Sequence, residues 1–183
     1  MLSHSLLYPS FYIQALPNAS ANTYMDRKVG NGNRIFIPGE EVQELARTEK
    51  LLVCYHSSDE TLLIQWEGSI SSEELRSGYE LILEQVRRFR PVKWLLDLQK
   101  RSTIRRDDQR WIFEQVFPEA LQLVGDDIFV GVVLPVFLMH DLVSELTGDE
   151  LIQQGNLMVM HHFMYPQEAQ RWLNEMYLLK TGS

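Results

Sequence analysis

Beyond residue 50, strand-length apolar runs alternate with longer segments whose apolar positions recur three and four apart. Residues 51–56 (LLVCYH) and 61–66 (TLLIQW) are two such runs joined by Ser57-Ser58-Asp59-Glu60, a pattern that predicts a β-hairpin. Ser71 and Glu74 then form a capping-box pattern, in which hydroxyl and carboxylate satisfy opposite backbone N–H groups at a helix start. The helix that follows carries Leu75, Tyr79, Ile82, Leu83, Val86 and Phe89 on one face, and Pro91 ends it. Residues 92–98 (VKWLLDL) are too short for a helix and apolar on both faces, as an interior strand requires, with Asp97 at the downstream end.

A second helix is expected over 107–124. Asp107 and Asp108 suit the positive end of its dipole, Pro118 should kink or divide it, and Gly125 should stop it. Residues 128–134 (IFVGVVL) form the most hydrophobic strand candidate, placed centrally. A short helix around 138–146, stopped near Gly148, leads through Gly155-Asn156 to a strand over 157–163. The last helix starts at Pro166 and buries Ala169, Trp172, Leu173 and Met176. The order β-β-α-β-α-β-α-β-α predicts an α/β domain over residues 46–183. Its sheet is mixed, mostly parallel and five-stranded, with flanking helices joined by right-handed crossovers.

Residues 1–45 read differently. Pro9, Pro17, Pro38, Gly30 and Gly32 prevent any long regular element, so this stretch is expected to be an irregular arm. Asn31-Gly32, between 23–25 and 34–37, permits a hairpin turn. Tyr8, Phe11, Tyr12 and Tyr24 can pack on the domain or on a partner, including a second copy exchanging arms in a homodimer.

Composition narrows the class. The 183 residues are 45% hydrophobic and 23% charged, ordinary values for one globular domain. The single cysteine, Cys54, cannot form an internal disulfide and sits in an apolar run, which fits a reducing, cytoplasmic compartment. No Lys or Arg precedes the first apolar residues, and Pro9 and Pro17 break that stretch, unlike a secretory leader. No run reaches the length of a membrane span. A net charge of -8 disfavours non-specific nucleic-acid binding.

The element order, together with the ending Phe163-Met164-Tyr165-Pro166-Gln167-Glu168-Ala169-Gln170-Arg171-Trp172-Leu173, resembles the SpoIIAA-like or STAS-like family of small bacterial domains. In that family a last strand commonly ends in Phe and leads into a helix carrying Glu-Ala and Trp-Leu. Here those positions are Phe163, Glu168, Ala169, Trp172 and Leu173. The resemblance implies an STAS-like fold and a regulatory or scaffold role. Anti-anti-sigma members of the wider group carry a phosphorylatable Ser framed by Asp and Gly after an interior strand. This chain has Ser102 and Thr103 there, as candidate phosphoacceptors, without the framing residues.

Basic residues cluster between Arg87 and Arg110, which hold nine of the chain's 17 and carry +6, leaving -14 elsewhere. The strand over 92–98 divides them. Arg87, Arg88, Arg90 and Lys93 lie at its start, whereas Lys100, Arg101, Arg105 and Arg106 lie beyond its carboxyl end, where open α/β folds place ligands. The second group either solvates a surface or forms a site for an anionic partner.

No catalytic, metal or cofactor constellation is readable. His161 and His162 point to opposite faces of a strand, Cys54 and His56 lack a third ligand, and no nucleophile elbow or phosphate loop is present. Two functions remain. One is a non-enzymatic protein-interaction module using Lys100, Arg101, Arg105 and Arg106. The other is a small-molecule or lipid carrier with an apolar pocket between sheet and helices, lined by residues such as Trp111, Phe129 and Phe137.

Overall fold

The computed structural model describes residues 42–138, 150–153 and 155–182. Its strands are β1 (Val42–Arg47), β2 (Leu51–His56), β3 (Thr61–Gly68), β4 (Lys93–Arg101), β5 (Ile128–Val133), β6 (Glu150–Gln153) and β7 (Asn156–Phe163). Its helices are α1 (Ser72–Phe89), α2 (Arg106–Trp111), α3 (Phe117–Val124) and α4 (Pro166–Thr181), with a π-helical segment, Ile112–Val116, joining α2 to α3. The expected arm hairpin, the arm aromatics and most of the short helix over 138–146 lie outside the described residues.

One mixed sheet runs β1-β2-β3-β4-β5-β7-β6. The four strands β3, β4, β5 and β7 are parallel, while β1, β2 and β6 pair antiparallel with their neighbours. The α/β class and the opening hairpin therefore hold. The strand count does not, because seven strands stand where five were expected. Both additions are edge strands. β1 (VQELAR) is polar and bulged between Glu44 and Ala46, and β6 (ELIQ) has four residues, so neither carries the alternation that marks a half-buried strand.

Local chemistry explains the helices. At the start of α1, the Glu74 N–H donates to Ser71 Oγ at 3.2 Å and the Ser71 N–H donates to Glu74 Oε2 at 2.8 Å. The helix ends at Arg90, in the left-handed region with φ 46°, just before Pro91. The second helical stretch is divided as Pro118 implies, although the interruption is a wider turn. The Phe117 N–H reaches back five residues to the Ile112 carbonyl. A proline ring crowds the carbonyl four residues earlier, here that of Glu114, and the wider turn relieves this crowding.

The core has two unequal layers. On one face Leu62, Ile64, Trp66, Trp94, Leu96 and Met160 meet Leu75, Tyr79 and Ile82 of α1 and Phe117 and Leu121 of α3. On the other, Leu95, Phe129 and Val133 meet Ala169 and Leu173 of α4. Gly131 lets α4 approach, since a Cβ there would stand 3.1 Å from that of Ala169. Among the described residues, no helix is long and apolar enough to cross a membrane.

Candidate functional site

The site begins with an irregularity in β4. Gln65 of β3 pairs with Asp97, but Glu67 pairs with Lys100 and Gly68 with Arg101, so two steps along β3 are matched by three along β4. The extra residue reverses the alternation of faces. Trp94, Leu96 and Leu98 turn toward α1, and in a regular strand Lys100 would follow them. Instead Arg101 does.

Arg101 thus enters a cavity of about 80 Å³ between the sheet and the helices. Its walls are Trp66 of β3, Leu96 and Leu98 of β4, Val132 of β5, Met160 and His162 of β7, and Leu75 and Tyr79 of α1. Asp108 and Gln109 of α2, Ile112 and Phe113 of the π segment, and Phe117 complete one side. The lining is predominantly apolar, which makes its few polar groups informative.

Two of those groups are charged and deeply buried. Arg101 is 5% exposed and Asp108 6% exposed. One Arg101 nitrogen, Nη2, donates to the Thr103 carbonyl at 2.9 Å, but among the described residues Nε has no partner, nor has Asp108 Oδ2. Trp66 lines the same wall, and its Nε1 is also without a partner among the described residues. Burial lowers the Arg101 pKa, and the nearby Tyr79 and Asp108 oppose that shift. Burial likewise pushes the Tyr79 hydroxyl well above its ordinary value, with Arg101 pulling the other way.

A second depression, of about 310 Å³, lies over Lys50, Glu74 and Gly78. Its charges satisfy one another, since Lys50 Nζ donates to Glu74 Oε1 and to the Ser69 carbonyl, both at 2.8 Å. It offers no comparable chemistry.

The expected basic surface is split. Lys100, Arg105 and Arg106 are exposed, Lys100 lying 3.2 Å from Glu67 Oε2 and Arg105 lying 3.4 Å from Ser72 Oγ. Arg101 leaves this group for the interior. Ser102 and Thr103 are exposed on the loop between β4 and α2, and the Ser102 N–H donates to the Gly68 carbonyl. At the other end of β4, Lys93 is buried and donates to Asn174 Oδ1 at 2.8 Å, so it forms no surface patch with Arg87 and Arg88.

The three aromatics expected to line a pocket do not meet in one. Trp111 packs edge-on against Tyr79 with the Arg76 guanidinium over its ring. Phe129 belongs to the layer beneath α4, and Phe137 is 61% exposed. An apolar cavity between sheet and helices exists, built from other residues. His161 and His162 do face opposite ways, His161 stacking on Trp172 and His162 lining the cavity.

The chain matches no family model, no curated protein and no solved structure. Function must be read from the cavity.

Its two decisive residues differed in legibility. Asp108 suits the positive end of a helix dipole, yet it stands four residues before Ile112 and eight before Val116, in an otherwise apolar stripe. That misplaced charge was a usable signal. Arg101 gave none, because sequence alternation assigns it to the opposite face.

Proposed function

We propose that this domain is a non-enzymatic small-molecule-binding module, a carrier or sensor whose ligand occupies the cavity around Arg101 and Asp108. One observation carries the reading: a guanidinium and a carboxylate, both nearly sealed from water, line the same apolar cavity, and each keeps a buried atom without a partner among the described residues. Burying charge without full hydrogen bonding costs several kcal/mol, and apolar residues of similar volume would stabilise such a core better. A chain that retains the arrangement trades stability for recognition.

The protein-interaction reading has its own support. Ser102, Thr103 and Arg105 are exposed on the loop into α2, whose first residue, Arg106, is exposed too, and Arg101 Nη2 holds the Thr103 carbonyl of that loop. A ligand on Arg101 would therefore be linked to the surface that an STAS-like regulator would present.

Native mass spectrometry of protein purified from its own cells tests the binding reading. Wild type should carry a small molecule that Arg101→Met protein lacks. Wild type that is free of adducts, and that no metabolite mixture stabilises against heat, would refute it.

A further inference from the structure

The cavity's two charges restrict what can enter it. A bare carboxylate would satisfy Arg101 but meet Asp108 as a like charge, and a bare amine would satisfy Asp108 but meet Arg101. In a low-dielectric pocket such juxtapositions are penalised far more than in water. A molecule carrying a carboxylate and an adjacent positively charged donor answers both groups and adds no net charge to a pocket whose own charges cancel. Size adds a second restriction. A cavity of about 80 Å³ suits a compact headgroup with a short apolar extension rather than a long chain. Of its walls, Leu96, Ile112, Phe113 and Met160 are apolar and suit such an extension.

We infer that the ligand is a small zwitterion, an α-amino acid with a short apolar side chain. The Arg101 guanidinium donates to its carboxylate and the Asp108 carboxylate accepts from its ammonium group. This inference rests on the binding reading above and adds the ligand class. Trp66 Nε1 supplies a further donor in the same wall.

Calorimetric titration of the full chain with L-alanine, L-valine, propionate and isobutylamine tests it, alongside circular-dichroism melting to establish that each variant folds. One of the two amino acids should bind wild type at least about tenfold more tightly than propionate or isobutylamine, since each lost charge-assisted hydrogen bond forfeits that much. In the near-isosteric Asp108→Asn the preference over propionate should fall below about threefold, because an uncharged amide no longer attracts the ammonium group or repels the bare acid. Arg101→Lys, which keeps the charge and loses Nε, should weaken the amino acid and propionate alike.

Propionate binding wild type as tightly as the amino acids, or discrimination that survives in Asp108→Asn, overturns the zwitterion and leaves the binding reading standing. So does a failure of both amino acids while native mass spectrometry still shows another adduct. The same failure with adduct-free protein overturns both.

Discussion

Gly78 offers the sharpest test of how α1 sits on the sheet. In an exposed helix interior, replacing glycine with alanine gains about 1 kcal/mol. Here the methyl group would stand 2.2 Å from Trp66 Cη2 and 3.1 Å from Leu51 Cδ2, where ordinary contact begins at 3.4 Å. Trp66 is 2% exposed, so its ring cannot swing into solvent. Overpacking of this kind costs about 1–3 kcal/mol, and so deep an overlap belongs at the upper end. After the propensity gain, Gly78→Ala should lose about 2 kcal/mol. The neighbouring exposed Ser77→Ala should instead be neutral or slightly stabilising. Urea denaturation followed by far-ultraviolet circular dichroism measures both without relying on tryptophan emission. Trp66→Phe removes the atoms that the new methyl would strike. In a double-mutant cycle the pair should therefore be less destabilised than the sum of its parts, by about 1–2 kcal/mol. A Gly78→Ala protein more stable than wild type, or a cycle additive to within about 0.5 kcal/mol, would refute the packing described for α1.

Three further outcomes follow from polar groups outside the cavity. Burial raises the Asp97 carboxyl above its ordinary value, opposed by hydrogen bonds from the Gln99 N–H and Gln65 Nε2 and by Lys100. A raised folded value favours the fold below the unfolded pKa and loses that advantage as pH rises through it. The stability of Asp97→Asn relative to wild type should therefore improve between about pH 4 and pH 7, and paired melts at the two pH values check this. At the α1 cap, Ser71→Ala should cost about 1 kcal/mol in denaturant unfolding. Glu74 is held at about 2 by Lys50 and by the cap, against an ordinary value of 4.5, so its contribution is present above 4.5 and is lost as pH falls toward 2. The deficit of Glu74→Gln should close over that same window in acid titration of stability.

Much of this architecture was legible because it is local. The 51–66 hairpin, the Ser71/Glu74 cap and the stripe from Leu75 to Val86 each declare themselves within a few residues, and each stands as read. The edge strands did not, since a polar six-residue strand and a four-residue one are defined by the neighbours they pair with. Trp111, Phe129 and Phe137 were grouped by chemistry, but residue type does not say which side of a sheet an aromatic joins. The cavity's polar pair shows both limits. Asp108 interrupts an apolar stripe and so leaves a trace, whereas the direction of Arg101 depends on a register shift against β3 that no single strand records.

That shift also bears on how such a domain can change over generations. The face that β4 turns toward α1 beyond Leu98 is set by a count of residues, so a one-residue insertion after Gln99, with the bulge kept, would bring Lys100 into line with Trp94, Leu96 and Leu98 and send Arg101 outward. The strand, its partners and the fold would persist, while the planar fork of a guanidinium would be exchanged for the single point charge of an ammonium. Related chains could thus acquire or lose a binding preference through the insertion of one codon, with no residue substituted. An alignment that scores substitutions alone would record that event as a gap in a strand and miss the change of chemistry.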